Sequence, residues 1–192
     1  MVAVESTMLP LGTKAPEFSL PDSAGVEVSL EALAAGRDAL VVAFICNHCP
    51  YVKLIADRFA ELGNRWQQNG VGVVAINSND ADAHPDDSPA AMAGEVKLRG
   101  YEFPYLFDES QQVARAYKAA CTPDFYVFGA DLRLVYRGRF DTARPSSGEA
   151  VTGADLAAAV EAAVAGRDQG VQQPSMGCNI KWRPGNTPEW FS

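Results

Sequence analysis

Leu-Val-Val-Ala-Phe-Ile-Cys-Asn-His-Cys-Pro-Tyr-Val occupies residues 40–52 and decides the fold. Its first part, Leu40–Ile45, is an apolar run too short for a helix, which is typical of a strand buried on both faces of a parallel sheet. From Pro50 to Gln68, apolar residues recur at helical spacing and charged residues occupy the opposite face. Proline is tolerated in the first turn of a helix. The stretch therefore predicts a buried strand that leads directly into an amphipathic helix.

Further elements are predicted on either side of this unit. Val71–Ile76 is a second buried strand and, if it is parallel to the first, the helix between them makes a right-handed crossover. Upstream, Phe18–Leu20 and Val26–Val28 flank turn residues at 22–25, which predicts a hairpin, and residues 29–35 follow as a helical turn. The downstream predictions are a loop at 77–89, helices at 90–99, 110–119 and 154–165, and strands at 104–108, 125–128 and 132–137.

The residue patterns of the predicted strand at 132–137 and the predicted helix at 154–165 also indicate which residues share a face. On the strand, Leu132, Leu134 and Tyr136 alternate with Arg133, Val135 and Arg137, which predicts one buried and one exposed face. On the helix, Leu156, Val160 and Val164 share one face. Residues 175–192 show no clear periodicity.

Composition limits the partners of the chain. Its 192 residues suit one domain, 47% of them are hydrophobic, and the formal net charge of −8 disfavours nucleic acid and anionic membranes as partners. The first 16 residues lack the basic patch and apolar run of a secretory signal. No stretch approaches the ~20 apolar residues that span a bilayer. We therefore expect a cytoplasmic protein that binds neither nucleic acid nor membrane.

Cys46 and Cys49 are the candidate catalytic residues. They stand where the strand meets the helix, and the unpaired N–H groups and dipole of a helix N-terminus stabilise a thiolate. The two-residue spacing lets the sulfurs form a disulfide without large backbone movement. We predict that Cys46 is the attacking thiol with the lower pKa and that Cys49 resolves. A positive charge on His48 would lower the pKa of Cys46 further and move the pair toward an oxidising potential of ~−180 to −120 mV.

Thr122-Pro123 is the candidate docking element. It lies between a helix and a strand, where a cis proline exposes a backbone edge to the extended chain of a partner. Cys121 precedes it as an accessory redox thiol or as a small buried residue. Three interpretations are open for Cys178, in the tail. It forms a disulfide with Cys121, it resolves Cys46, or it has no redox role and the tail simply covers apolar surface.

The ordered set of strand, CxxC, helix, Thr-Pro and closing helix resembles the thioredoxin superfamily. Ala15–Asp22 and the segment 77–109 resemble its peroxiredoxin-like branch, the alkyl hydroperoxide reductase/thiol-specific antioxidant (AhpC/TSA) proteins. Residues 46–52 and Ser175–Trp182 are similar to a CxxC-containing subgroup of that branch. The resemblance implies an α/β, thioredoxin-like domain whose central mixed sheet is flanked by helices. Its implied parts are an N-terminal extension with the hairpin (1–38), an insertion after the second core strand (77–109) and a C-terminal tail (167–192), within a single domain over 1–192.

The sequence departs from the peroxiredoxin pattern Pro-x-x-x-Thr-x-x-Cys. Counted back from Cys49, the threonine place holds Cys46 and the proline place holds Val42. Counted back from Cys46, these places hold Ala43 and Ala39. Neither cysteine therefore has the setting that activates peroxide in that family.

The buried aspartate that thioredoxins carry on the strand before the CxxC is also absent. Leu40 occupies its place, so proton transfer must use another group, such as His48, or solvent. Acidic residues and a histidine do gather after the second strand, but they lack the glycine and terminal glutamate of a calcium loop. We interpret this set as a solvated acidic loop; its members are Asp80, Asp82, His84, Asp86 and Asp87.

Together these features predict a thiol–disulfide oxidoreductase with a reversible Cys46–Cys49 disulfide and no dissociable cofactor. Its partners would be thiols and disulfides of proteins or small molecules. One alternative is a thiol-dependent peroxidase with Cys46 as the peroxidatic residue. Another is a metal-binding or redox-sensing module in which Cys46, Cys49 and a further cysteine hold zinc or copper, although structural zinc needs four ligands. Trp190-Phe191 is either packing or a homo-oligomer contact.

Overall fold

The fold is built around a five-stranded sheet. The computed structural model describes residues 3–167 and 169–191. Residues 1, 2, 168 and 192, which fall in the predicted extension and tail, lie outside the described residues. The strands are β1 (Ala3–Glu5), β2 (Ser19–Pro21), β3 (Glu27–Ser29), β4 (Ala39–Phe44), β5 (Val71–Asn77), β6 (Tyr105–Phe107), β7 (Cys121–Thr122), β8 (Asp124–Gly129), β9 (Leu134–Gly138) and β10 (Met176–Asn179). The helices are α1 (Leu30–Ala34), α2 (Pro50–Gln68), α3 (Pro89–Arg99), α4 (Gln112–Tyr117) and α5 (Ala154–Val164), with a 3₁₀ turn at Pro85–Asp87. None of the described helices has the length and apolar character that crossing a membrane requires.

The central sheet has the order β6-β5-β4-β8-β9. Strands β4, β5 and β6 are parallel, whereas β8 is antiparallel to both β4 and β9. Alternate residues of β4 enter two separate cores: Val41 packs on the α2 and α5 side, and Leu40 and Val42 on the α1 and α4 side. This confirms the predicted thioredoxin-like arrangement of a mixed sheet flanked by helices. The predicted hairpin is also confirmed, as the antiparallel pair β2 and β3.

Helix α2 follows the periodicity of its sequence. It begins at Pro50, with Cys49 as its N-cap residue, and buries the side of the helix that includes Ile55, Phe59 and Trp66 against the sheet. Because β4 ends at Phe44, the cysteine segment lies between the carboxyl end of a central strand and the amino end of the longest helix described.

The tail contains a strand that the sequence analysis missed. Strand β10 pairs antiparallel with β1 on one side and with β7 on the other, which makes a second sheet of order β1-β10-β7. Its sequence, Met-Gly-Cys-Asn, is only four residues long and contains glycine and asparagine, which are depleted in strands. Backbone hydrogen bonds to two neighbouring strands hold it in place, and such bonds leave no mark on side-chain periodicity.

Two predicted exposures are wrong. Arg137, assigned to the exposed face of its strand, is fully buried, and its guanidinium lies 3.3 Å from the carboxylate of Asp124. Val164, assigned to the buried face of the last helix, is 47% exposed because α5 ends at this residue, beyond its last buried position at Ala163.

Candidate dithiol site

All four cysteines are buried and reduced. Cys46 follows β4, and Cys49 caps α2. The thiol of Cys46 hydrogen-bonds the sulfur of Cys49, so the structure brings the predicted pair into direct contact.

Thr122 contacts both sulfurs of the pair. Its hydroxyl oxygen lies 3.2 Å from the Cys46 sulfur, and the Cys49 thiol donates to its carbonyl oxygen at 3.2 Å. The Thr122–Pro123 peptide bond is cis. The predicted docking element therefore lies directly against the predicted catalytic pair.

The backbone edge of Thr122 is occupied by the chain's own tail. Thr122 pairs with Cys178 of β10, and Cys121 pairs with Asn179. The expectation that this edge is open to a partner is wrong in this structure, because Thr122 is only 2% exposed. Gly177 makes the close fit possible, since a Cβ at that position would lie 2.0 Å from the Thr122 carbonyl oxygen.

A buried carboxylate lies on the other side of the pair. Asp87 is fully buried, and His48 Nδ1 lies 2.6 Å from its Oδ2. The backbone N–H of Asn47 and the side-chain amide of Asn79 each donate to Asp87 at 2.8 Å. The interpretation of this segment as a solvated loop is wrong for Asp80 and Asp87, which are both buried. The donors to Asp87 replace its water. Asp87 is a site residue that the sequence analysis missed.

The hydrogen bonds of Asp87 hold it as a carboxylate. Burial raises its pKa, but hydrogen bonds from His48 and Asn79, together with the charge of His48, leave the pKa below its ordinary value. The ring of His48 also stacks on His84, with centroids 5.2 Å apart. Asp87 therefore fixes the orientation of His48 and offers a negative charge close to Cys46, in place of the aspartate missing from the strand.

The two thiols of the pair have opposite pKa shifts. The hydrogen bond to Cys49, burial and the charge of Asp87 raise the pKa of Cys46 well above its ordinary value. Hydrogen bonds from Cys46 and then from Cys178 lower the pKa of Cys49 to about 5, although burial opposes this. The Thr122 carbonyl also opposes it, because it bonds Cys49 only as a thiol. Of the two thiols, Cys49 therefore has the lower pKa, and the prediction that Cys46 has the lower pKa is wrong.

The two accessory cysteines differ in their relation to the pair. The Cys178 side chain hydrogen-bonds Cys49, and burial raises its pKa to about 12. Cys121 neighbours Thr122 on β7, so its side chain points to the opposite face of that strand. There its thiol donates to the Pro123 carbonyl oxygen at 3.6 Å, and burial raises its pKa. The structure thus brings Cys178 to the pair and turns Cys121 away from it.

A second buried carboxylate anchors the Thr122–Pro123 element. Asp124 follows it directly and forms the fully buried ion pair with Arg137. The hydroxyls of Ser6 and Tyr126 also donate to Asp124. Burial raises the pKa of Asp124, and Arg137 opposes that shift. Through Ser6, this cluster ties the segment that follows β1, and thus the tail sheet, to the central sheet.

The metal-binding alternative requires a cluster of donor atoms. Within residues 3–167 and 169–191, one group of three such side chains has its donor atoms within 4.8 Å of one another, namely Cys46, His48 and Asp87. The set considered from the sequence, Cys46 and Cys49 with a further cysteine, does not form such a group there. His48 and Asp87 already bond each other, and a structural zinc site needs a fourth ligand.

Comparison with known proteins identifies the family and the fold. Residues 11–137 match the sequence model of the AhpC/TSA family. A Mycobacterium tuberculosis (H37Rv) protein named a "putative peroxiredoxin" is 30% identical over 136 residues, which are 71% of this chain and 80% of that protein. The crystal structure of an uncharacterized conserved protein from Geobacillus kaustophilus is 50% identical, with a TM-score of 0.93 over 96% of this chain and 98% of that chain. A "putative Thiol:disulfide interchange protein DsbE" from Chlorobium tepidum shares the fold, with a TM-score of 0.64 and 20% identity over 81% of this chain and 99% of that chain.

Proposed function

The chain belongs to the AhpC/TSA family, and from this premise we propose that it is a thiol–disulfide oxidoreductase with a reversible Cys46–Cys49 disulfide. Membership of the family makes it an oxidoreductase that acts on thiols. The observation that carries the proposal is that both sulfurs lie 3.2 Å from the same residue, Thr122, at the start of α2. Two thiols in direct contact at a helix N-terminus can close a disulfide with little movement.

Access assigns the roles of the two sulfurs. Cys46 lies toward Asn47 and His48, which are partly exposed, whereas Cys49 lies beneath the Thr122 carbonyl and the tail strand. Cys46 therefore meets the substrate. As it attacks a disulfide, its proton passes to the Cys49 thiolate along the hydrogen bond between them. A Cys46–substrate disulfide forms, and the second substrate sulfur leaves as a thiolate.

The resolving step forms the enzyme disulfide. Cys49 loses the proton that it received and attacks the Cys46 sulfur. The remaining substrate thiolate departs, and the Cys46–Cys49 disulfide is formed. One substrate disulfide has then become two thiols, and the enzyme dithiol has become a disulfide. His48, held by Asp87, is placed to protonate the departing thiolates. The lowered pKa of Cys49 favours the reduced form, which supports the prediction of an oxidising potential of ~−180 to −120 mV.

The test is equilibration in glutathione redox buffers, followed by thiol trapping and mass spectrometry. We expect a reversible two-electron transition that yields the Cys46–Cys49 disulfide. Cys49→Ser should abolish the transition, whereas Cys121→Ala should keep it, because Cys121 points away from the pair. Absence of the Cys46–Cys49 disulfide at every glutathione ratio would overturn the proposal.

A peroxidase is the second candidate, and the peroxiredoxin-like relative favours it. In that reaction the Cys46 sulfur attacks a peroxide oxygen and becomes a sulfenic acid as the alcohol or water leaves. Cys49 then attacks the Cys46 sulfur and releases water. Stopped-flow oxidation by hydrogen peroxide separates the candidates: a rate typical of an unactivated thiol supports the disulfide reaction, whereas a rapid rate that Cys46→Ser abolishes establishes the peroxidase.

The partners follow from the closed docking edge. Because the tail occupies the Thr122 edge, small-molecule disulfides suit the site better than extended protein chains. Turnover of oxidised glutathione compared with a protein disulfide tests this preference. A cytoplasmic location and a homo-oligomer contact both stay predictions. Trp190 and Phe191 pack on Trp182 of the same chain, which fits the interpretation of this pair as packing residues.

A further inference from the structure

The tail strand holds Cys178 in a defined position beside the pair. Strand β10 lies between β1 and β7, and Cys178 stands directly opposite Thr122. Side chains of directly opposed residues in an antiparallel pair point to the same face. Because the Thr122 hydroxyl contacts Cys46, Cys178 also faces the pair, and its side chain hydrogen-bonds Cys49.

The position of the strand is built into its neighbours. Gly177 admits the close approach to Thr122, because any side chain there would overlap the Thr122 carbonyl. Beyond the strand, the backbone N–H of Lys181 donates to the Asn79 side chain at 2.8 Å, and its carbonyl accepts from the Asp80 N–H at 2.9 Å. The thiol of Cys178 is therefore presented to Cys49 by a fixed backbone.

We propose that Cys178 is a third redox thiol, which exchanges with the Cys46–Cys49 disulfide to form a Cys49–Cys178 disulfide. The proposal rests on the function proposed above. In the step, Cys178 loses its proton and attacks the Cys49 sulfur. The Cys46–Cys49 bond breaks, and Cys46 leaves as a thiolate that takes up a proton. One disulfide replaces another, so the exchange needs no external oxidant.

The geometry selects Cys49 as the sulfur under attack. Cys178 hydrogen-bonds Cys49, whereas Cys46, Cys49 and Cys178 do not form a compact group of donor atoms in the described part of the chain. The exchange would therefore return Cys46, the sulfur on the substrate side, to its reduced form. The site would alternate between a disulfide on the substrate side and one beneath the tail.

Tryptic peptides distinguish the two disulfides. Cys46 and Cys49 share the peptide 38–53, whereas Cys178 lies in 168–181, so a Cys49–Cys178 bond joins two peptides and a Cys46–Cys49 bond joins none. The full chain is oxidised with glutathione disulfide, quenched in acid and mapped by mass spectrometry. We expect both species in the wild type, and only the Cys46–Cys49 disulfide in Cys178→Ser.

Cys46→Ser is the decisive variant. In this variant the small oxidant diamide should join Cys49 and Cys178 directly and be reduced to its hydrazine, because Cys49 is too buried for glutathione disulfide. A Cys46→Ser protein in which diamide forms no Cys49–Cys178 disulfide overturns the proposal. If the wild type nevertheless forms the Cys46–Cys49 disulfide, the proposed function stands without it. If the wild type forms neither disulfide, both fail.

Gly177→Ala tests the close contact between β10 and Thr122 and keeps every cysteine. The added methyl group should displace β10 from Thr122 and remove the Cys49–Cys178 disulfide, with the Cys46–Cys49 disulfide retained. Gly94→Ala is the matched control, because a Cβ at that position meets no atom within 4 Å. An undiminished Cys49–Cys178 disulfide in a folded Gly177→Ala protein would contradict the assigned role of the strand.

Discussion

Two segments close over the cysteine pair, and each acts on a different sulfur. The 3₁₀ turn of the insertion brings Asp87 to the Cys46 side, where it bonds His48 and supplies negative charge. The tail strand brings Cys178 to the Cys49 side, where it supplies a third sulfur and a backbone neighbour for Thr122. In the proposed mechanism, the first segment orients the histidine that protonates thiolates, and the second places a sulfur that can exchange disulfides.

The two segments are also held by different forces. Asp87 is bound by side-chain and backbone donors that a single substitution can leave unsatisfied. The tail strand is held mainly by backbone pairing on both edges, which a steric change such as that at Gly177 disturbs. The following predictions break or sharpen this contrast.

The largest effect is expected from the titration of Cys49 in the reduced protein. Its pKa of about 5 lies below the ~8.5 of an unfolded thiol, so between these values the native state binds fewer protons than the unfolded state. Stability from this group is therefore complete above the unfolded pKa and is lost as pH falls through about 5. The slope approaches ~1.4 kcal/mol per pH unit.

Urea unfolding from pH 5 to pH 9 measures this slope, and thiolate absorbance at 240 nm gives the native midpoint directly. Cys49→Ala removes the thiolate together with its hydrogen bonds to Cys46 and Cys178, so we expect the slope of the stability curve to disappear over this pH range. Parallel stability curves for the two proteins would contradict the assignment of the thiolate to Cys49.

Loss of the Arg137–Asp124 pair should weaken the tail side next. Arg137→Met leaves Asp124 as an uncompensated buried charge, which destabilises a protein by about 3–5 kcal/mol. Chemical denaturation measures the loss. Adding Asp124→Leu to Arg137→Met should recover part of the stability, and a double variant no more stable than the single one would show that charge is not the cause.

Asp87→Asn tests the insertion side. An amide cannot accept every bond that the carboxylate accepts from Asn47, His48 and Asn79, so we expect a loss of about 1–3 kcal/mol. Removal of the negative charge should also lower the pKa of Cys46 and speed its alkylation by iodoacetamide at neutral pH. Asp86→Asn, at an exposed neighbouring position, is the control that should change neither.

The smallest effect is expected where the two segments meet at the surface. Arg183 of the tail contacts Asp80 and Asp82 of the insertion at 3.7 and 3.3 Å. Since Arg183 is partly exposed, Arg183→Ala should cost less than about 1 kcal/mol, and the difference should shrink in high salt. A larger loss that salt does not change would mean that packing of the side chain matters more than its charge.

The sequence predicts the strand–helix unit well because its signals are local. Helix α2 spans Pro50–Gln68 as its periodicity indicates, and β4 follows from one apolar run. The contact between His48 and Asp87 joins residues 39 positions apart, and no local pattern reports it. Strand β10 was missed because its partners bind its backbone, and backbone pairing leaves no local side-chain pattern. The hydrogen bond between the two thiols is the first cause of their pKa order, and Asp87 and Cys178, which come from these distant segments, add to it. The residue pattern shows neither the direction of that bond nor these two contributions.

A thiol fixed on a strand beside Cys49 has no meaningful bulk concentration; it has an effective one. Aligned groups within one molecule react as if their partner were present at ~10⁵ M or more. A dissolved thiol that attacks Cys49 therefore competes with Cys178, whose effective concentration is higher and does not fall on dilution. In the proposed exchange, the position of Cys178 opposite Thr122 therefore sets how often Cys178, rather than an outside thiol, reacts with the Cys46–Cys49 disulfide.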